Sequence, residues 1–362
     1  MLNSTEEADV LATILVAVAT LASGLGPAQT RLVALTFDDL PAAGTRNPDE
    51  DQSLSTPDIR AINEAMVSTL KRHHAPAVGF VNERGISEAP DVEERRAILR
   101  IWVRAGLDLG NHTYSHADLN QLSIEAFERE IEKGETSIGP LMREAGKPLA
   151  FFRFPYNHTG DTKDKHTAIQ NYLWKRGYAL AACTIDSEDF KFERAYGVML
   201  AKHDVQSERK LKAAYLEYTS AEIDYYAVLH RQVFGREIPQ VMLLHANRLN
   251  AAVLEDVLTM FEKKGYQFVS LAEAQTDHSG DIRVEVGPDV GLSMGQRSRR
   301  EGGWNQGSRA AGLGDAVRAL ATAEIHGACG QGIGDDRGEG SGRGMRSPGW
   351  WRMMRLGSVQ TE

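Results

Sequence analysis

The chain has 362 residues, of which 42% are hydrophobic and 25% are charged, and its formal net charge is -9 at pH 7. These proportions are typical of a soluble globular protein with one large domain or two ordinary ones. The acidic balance argues against nucleic-acid binding, because phosphate contacts need clustered Lys and Arg. The two cysteines, Cys183 and Cys329, are too few and too far apart to indicate a disulfide framework.

The N-terminal segment contains an apolar run from Val10 to Leu25, and a cleavage site for signal peptidase could follow Ala28. The residues before the run are acidic and include no Lys or Arg, which is the wrong sign for a signal peptide. An uncleaved anchor is the alternative, although the run is short for a membrane span. We interpret residues 1–28 as a signal peptide or N-terminal anchor. A signal peptide implies a periplasmic, cell-envelope or secreted protein with no stable membrane insertion after processing, and otherwise the protein is cytoplasmic.

Short apolar runs then alternate with helical patterns between Arg31 and about Gln275. The candidate strands are Leu32–Phe37, Ala77–Val81, Leu107–Gly110, Phe151–Phe154, Tyr178–Ile185, Gln240–Leu244 and Tyr266–Leu271. The candidate helices are Thr56–His73, Asp91–Ala105, Ser123–Glu144, Lys165–Arg176 and Asn250–Lys264. Strand–helix alternation of this length predicts a parallel sheet, either doubly wound or closed into a barrel.

Polar residues decide between these two folds, because they lie at or just beyond the carboxyl-terminal ends of five different candidate strands. They are Asp38, Asp39, His112, Arg153, Asp186 and His245. Barrel enzymes draw their catalytic residues from several strands at the carboxyl-terminal rim. The sequence therefore favours a barrel.

Two further segments depart from the alternation. Residues 191–239 form a long, tyrosine-rich connection with a helical pattern. We interpret it as a helical hairpin that packs its aromatics on the barrel wall, and a cap over a sugar-binding cleft is the alternative. Of the 34 glycines, 18 lie in residues 281–362. We therefore predict a disordered tail over residues 278–362, which leaves residues 29–277 as the catalytic domain.

The residue types at the strand ends suit metal-assisted hydrolysis. Side chains alternate along a strand, so Asp38 and Asp39 cannot play one role side by side. One can bind a metal while the other transfers a proton. His112 and His116 are four residues apart and share a face if their segment coils. Taken singly, paired aspartates often only cap a helix, and a lone His245 is usually a core histidine.

Five segments occur in a recognisable order, namely Thr36-Phe-Asp-Asp39, His112-Thr-Tyr-Ser-His116, Arg153-Phe-Pro-Tyr156, Asp186-Ser-Glu-Asp189-Phe190 and Leu243-Leu-His245. This pattern resembles that of the polysaccharide deacetylases, the NodB homology domain of carbohydrate esterase family four. The resemblance covers about residues 31–275. It implies an α/β fold that is a distorted, incomplete (β/α) barrel of about seven strands.

The resemblance also implies a metal site and an acid–base pair. Asp39, His112 and His116 are its metal ligands, a set that suits Zn²⁺, with Co²⁺ or another divalent transition metal as alternatives. Asp38 is the general base that takes a proton from water. His245 is the general acid that protonates the leaving amine.

Three supporting roles follow from the same resemblance. Arg153 orients Asp38 through a charge-assisted hydrogen bond. The backbone N–H of Tyr156 helps to hold the oxyanion. Asp186 pairs with His245 and raises its pKa.

Two positions depart from the family pattern. Phe190 stands where the family commonly has tryptophan, and we expect it to keep an aromatic wall near His245. Leu40 stands where glycine is common, and we expect it to narrow the approach to the metal.

The expected activity is therefore metal-dependent hydrolysis of the N-acetyl amide of a glycan, such as a chitin oligosaccharide or peptidoglycan. The expected partner is an N-acetylated carbohydrate, and the oligomeric state stays open. O-deacetylation of acetylated xylan and hydrolysis of a small non-sugar amide are alternatives within the enzymes. A catalytically silent glycan-binding module is the alternative outside them, but such a module has no reason to keep both a base and an acid.

Overall fold

The computed structural model describes residues 30–43 and 54–276. The predictions for residues 1–28 and 278–362 lie outside these residues. Within the described part, no helix is long and apolar enough to cross a membrane.

One parallel sheet forms the centre of the fold. Its strands are β1 (Arg31–Leu40), β2 (Ala77–Val81), β3 (Asp108–Asn111), β4 (Phe151–Phe152), β5 (Ala179–Leu180), β6 (Ile185–Asp186), β7 (Gln240–His245) and β8 (Tyr266–Phe268). Their order is β5-β4-β3-β2-β1-β7-β6, and β8 pairs with β1. Every pairing is parallel.

The sheet curls into an incomplete barrel, which confirms the predicted fold class. The predicted strand Tyr178–Ile185 is in fact two short strands, β5 and β6, which lie at opposite edges of the sheet order. Only residues 181–184 separate them along the chain. Because a residue spans at most about 3.5 Å, those two edges must lie close together. The sheet is therefore curled, with a seam between β5 and β6 where no strand pairing joins them.

Helices alternate with the strands as the sequence predicts. They are α1 (Thr56–Arg72), α2 (Arg84–Ser87), α3 (Val92–Arg104), α4 (Ile124–Glu144), α5 (Lys163–Lys175), α6 (Asp189–Ala201), α7 (Val205–Phe234), α8 (Arg248–Lys263) and α9 (Leu271–Ala274). Side-chain oxygens cap the first turn of several, for example Ser55 in a capping box with Asp58 at the start of α1.

The tyrosine-rich connection is a helical hairpin made of α6 and α7. Tyr215 and Tyr226 are almost completely buried, and Phe192 packs against Tyr215 with ring centroids 5.2 Å apart. Tyr225 is 37% exposed. Most of these aromatics therefore pack inward, as the hairpin interpretation expects.

Candidate active site

The predicted site residues meet at the carboxyl-terminal edge of the sheet. Asp38 and Asp39 lie near the end of β1, and His245 is the last residue of β7. Asp38 is the register partner of His245 on the neighbouring strand. His112 follows β3 directly, and Arg153 follows β4 directly. Parallel strands bring these ends to one rim, so residues far apart in sequence become neighbours.

Asp39, His112 and His116 form a candidate metal centre. The Oδ1 atom of Asp39 lies 3.7 Å from Nε2 of His112 and 3.6 Å from Nε2 of His116. One ligand atom from each residue lies within 4.8 Å of the other two. Zinc–ligand bonds of about 2.0–2.2 Å place neighbouring ligand atoms roughly 3.2–3.7 Å apart. The three side chains therefore fit a single divalent ion.

The orientation of His112 favours metal binding as well. Its Nδ1 lies 2.8 Å from the backbone oxygen of Arg153, and the ring is almost completely buried. A carbonyl only accepts hydrogen bonds, so Nδ1 carries the proton and Nε2 presents its lone pair. That lone pair is directed at the side where Asp39 lies.

Asp39 is held by a residue that the sequence interpretation missed. Asn82 directly follows β2, and its Nδ2 donates to Oδ1 of Asp39 at 2.8 Å. Asn82 is only 4% exposed. A carboxylate oxygen has two lone pairs, so Oδ1 can accept from Asn82 and still face a metal. The position of Asn82 at a strand end is the signal that could have revealed it.

Leu40 does not narrow the approach to the metal, so that expectation is wrong. The pairing of β1 with β2 shifts register between Phe37 and Leu40, and Asp39 has a φ of 67°. This irregularity turns Leu40 into the core, where it is fully buried. A Cβ atom on Gly79 would lie 2.4 Å from Cδ2 of Leu40, so a larger residue at that position of the neighbouring strand would have to displace the Leu40 side chain.

Asp38, the candidate base, is oriented by Arg153. The guanidinium Nη1 donates to Oδ1 of Asp38 at 3.0 Å and to Oγ1 of Thr36 at 2.7 Å. The Nε atom of Arg153 donates to the backbone oxygen of Ala181 at 3.0 Å. Arg153 is 1% exposed and Asp38 is 4% exposed, so their charge-assisted bond is shielded from water. The second oxygen of Asp38 lies 3.7 Å from Nε2 of His112, beside the candidate metal centre.

His245 pairs with Asp189 rather than with Asp186, which corrects the sequence interpretation. The Nδ1 atom of His245 lies 2.7 Å from Oδ1 of Asp189. Asp186 instead accepts a hydrogen bond from the backbone N–H of Glu188 at 2.9 Å. Glu188 has a φ of 51°, and this turn brings the first residue of α6, Asp189, under the imidazole. Both aspartates belong to the same motif, and only the turn decides which one reaches His245.

The environment of this pair sets its charge. Burial alone would lower the pKa of His245, but the Asp189 carboxylate outweighs it and raises that pKa to about 10. Burial opposes ionisation of Asp189 too. Its pKa is nevertheless lowered, because His245 supplies the opposite charge and both His245 and Asn247 donate hydrogen bonds to the carboxylate. Burial raises the pKa of Asp186 to about 6. Asp189 and His245 are therefore an ion pair at neutral pH.

Two exposed aromatic rings flank the site. Tyr156 is 56% exposed, and its ring centroid lies 4.4 Å from that of His116. Phe190 is 50% exposed, and its ring centroid lies 5.9 Å from that of His245, so it does form an aromatic wall beside His245. The backbone of Tyr156 has a φ of 58°, which is rare for a bulky residue and is found at strained functional positions.

The chain is similar to known deacetylases over part of its length. Residues 26–173 match the family model described as Polysaccharide deacetylase. The chain is 28% identical over 166 residues to the peptidoglycan-N-acetylglucosamine deacetylase of Bacillus cereus, which is 46% of this chain and 49% of that protein.

Two other relatives come from a fungus and a second bacterium. A chitin deacetylase of Arthroderma benhamiae is 25% identical over 169 residues, 47% of this chain and 38% of that protein. The peptidoglycan-N-acetylglucosamine deacetylase PgdA of Listeria monocytogenes is 21% identical over 242 residues, 67% of this chain and 38% of that protein. The chain thus spans less than half the length of these relatives.

Proposed function

Because residues 26–173 belong to the polysaccharide deacetylase family, we propose that the protein is a metal-dependent hydrolase that removes the N-acetyl group from an N-acetylated glycan. A chitin oligosaccharide or peptidoglycan is the substrate class that the named relatives suggest. The observation that carries the proposal is that five side chains lie together at one rim of the sheet, namely Asp38, Asp39, His112, His116 and His245. These are the residue types that a base, three metal ligands and an acid require.

The metal we propose is Zn²⁺, held by Asp39, His112 and His116. When bound, it lowers the pKa of a water molecule and polarises the acyl oxygen. Asp38 accepts the proton of the attacking water. The bond from Arg153 to one oxygen of Asp38 fixes the carboxylate and leaves its other oxygen on the side of His112.

His245 completes the reaction by donating a proton to the leaving nitrogen. Its Nδ1–H is engaged with Asp189, so Nε2 is the atom that donates. An amide needs this proton, because an amide anion is a very poor leaving group. An ester needs this proton less, because an alkoxide is a better leaving group than an amide anion.

The deciding experiment measures both products of amide hydrolysis. Zinc-loaded protein is incubated separately with N-acetylglucosamine oligomers, peptidoglycan, acetylated xylan and a small acetamide, and acetate and free amine are quantified. Equal amounts of acetate and glucosamine amine from one of the first two substrates support the proposal. Acetate without amine, released from xylan only, indicates an O-deacetylase. Release from the acetamide only indicates a small-amide hydrolase.

The control for this experiment is the His116→Ala variant under the same conditions. Glycan binding without any acetate release, equal in the wild type and the variant, would indicate a silent binding module.

A further inference from the structure

A tyrosine of the helical hairpin is hydrogen-bonded to a residue that holds the His245–Asp189 pair. Tyr215, on α7, is fully buried. Its hydroxyl lies 3.0 Å from Oδ1 of Asn250 and 3.2 Å from Oγ of Ser187. Asn250 lies in the first turn of α8, just after β7. The hydroxyl therefore links α7, α8 and the turn that follows β6.

The direction of each hydrogen bond around Asn250 can be assigned. Its Nδ2 donates to Oδ2 of Asp189 and to the backbone oxygen of His245, the latter at 2.9 Å. Both amide hydrogens are then used on acceptors, so Oδ1 must accept. The single hydroxyl hydrogen of Tyr215 consequently goes to Asn250. The Oγ atom of Ser187 is the second polar neighbour of this hydroxyl, 3.2 Å away.

This chain of hydrogen bonds meets at the Asp189 carboxylate, which also accepts from the proposed acid His245. Tyr215 fixes the amide of Asn250, Asn250 holds Asp189, and Asp189 holds the ring of His245. We propose that Tyr215 is a positioning residue of the reaction, acting through Asn250 and Asp189 on His245. The proposal rests on the proposed function, in which His245 is the acid.

A second contact from the same helix supports this role. Tyr218, one turn after Tyr215, donates to Oε2 of Glu188 at 3.1 Å. Glu188 is the residue whose left-handed backbone brings Asp189 under the imidazole. Phe192 lies between the two tyrosines, with ring centroids 5.2 and 5.6 Å from theirs. The hairpin thus braces the turn that carries Asp189, in addition to covering the sheet.

The test is Tyr215→Phe, which removes one oxygen and keeps the ring. Loss of one hydrogen bond in this network should lower kcat on the N-acetylated glycan that the wild type hydrolyses by about threefold to tenfold. KM and zinc content should stay unchanged, because neither the metal ligands nor the exposed aromatic rings are touched. The matched control is Tyr196→Phe on α6, a buried ring whose hydroxyl is outside this network. It should keep the kcat of the wild type.

A second readout needs no substrate. The Nδ1–H proton of His245, in a short bond to a carboxylate, should give a downfield proton NMR signal that His245→Gln removes. Tyr215→Phe should shift this signal, and Tyr196→Phe should not. A lowered melting temperature with unchanged kcat and unchanged signal would overturn the proposal, and so would an equal loss of kcat in both tyrosine variants. If the wild type releases no acetate, the proposed function fails, and the NMR signal still tests whether Tyr215 acts on His245.

Discussion

Replacing Asp189 with Asn should move the alkaline limit of activity. The acid works only while it is protonated, so turnover is lost as the pH rises through the pKa of His245. With Asp189 present, that pKa is raised to about 10. The negative charges of Asp38 and Asp39 contribute to this raised pKa of His245. A bound zinc ion offsets their contribution, so the alkaline limit of activity of the zinc-loaded enzyme lies below pH 10.

The size of the change follows from the titration curve. In Asp189→Asn the carboxylate is gone and burial remains, so the pKa of His245 should fall to about 6.5 or lower. At pH 8 the protonated fraction is then about 3%, and kcat should drop about 30-fold. At pH 6 most of the imidazole is still protonated, and the loss should be only a few-fold.

The assay is kcat at saturating substrate from pH 5 to pH 10, with zinc content and circular dichroism as checks on folding. Asp186→Asn is the matched control, because Asp186 bonds to the backbone N–H of Glu188 and not to the imidazole. It should move the alkaline limit much less than Asp189→Asn does. An unchanged limit in Asp189→Asn, or an equal shift in both variants, would refute this account of His245.

Three further predictions concern the metal and the base. His116→Ala should reduce bound zinc from about one per chain to near zero by elemental analysis. Asp38→Asn should keep the zinc and lose turnover. Loss of zinc in Asp38→Asn would mean that Asp38 is a metal ligand. Asn82→Ala should weaken zinc binding about 10- to 100-fold in a chelator competition, because it removes the amide donor that orients the Asp39 carboxylate, and unchanged affinity would remove Asn82 from the site. Arg153→Met should lower the free energy of unfolding in urea by about 3–5 kcal/mol, since it leaves a buried carboxylate without its cation, and a loss below 1 kcal/mol would show that this ion pair contributes little.

Much of the site could be predicted from the sequence, because polar residues at the ends of parallel strands meet at one edge of the sheet. Asp39, His112 and His245 each follow or end an apolar run, and the parallel sheet gathers such ends at one rim. The same rule predicts the fold class. Asn82 satisfies it too, but an amide has no titratable chemistry to attract notice in a sequence.

The errors have a different origin, because they depend on single backbone turns. The left-handed φ of Glu188 selects Asp189 over Asp186 as the partner of His245. The irregularity at Asp39 sends Leu40 into the core. Neither Glu188 nor Asp39 is glycine, so the sequence does not indicate a positive φ at either position. The assembled tertiary structure imposes both conformations.

The central position of β1 has a consequence for biosynthesis. This strand ends at residue 40, yet it pairs with β7 and β8, whose last residue is Phe268. At synthesis rates of about 5–20 residues per second, the remaining partners emerge roughly 10–45 s after β1 leaves the ribosome. During that interval the candidate base on β1 has no acid beside it. A chain that stops before residue 240 can form neither the pairings of β1 with β7 and β8 nor the complete site, so a nascent or truncated molecule should release no acetate from its substrate.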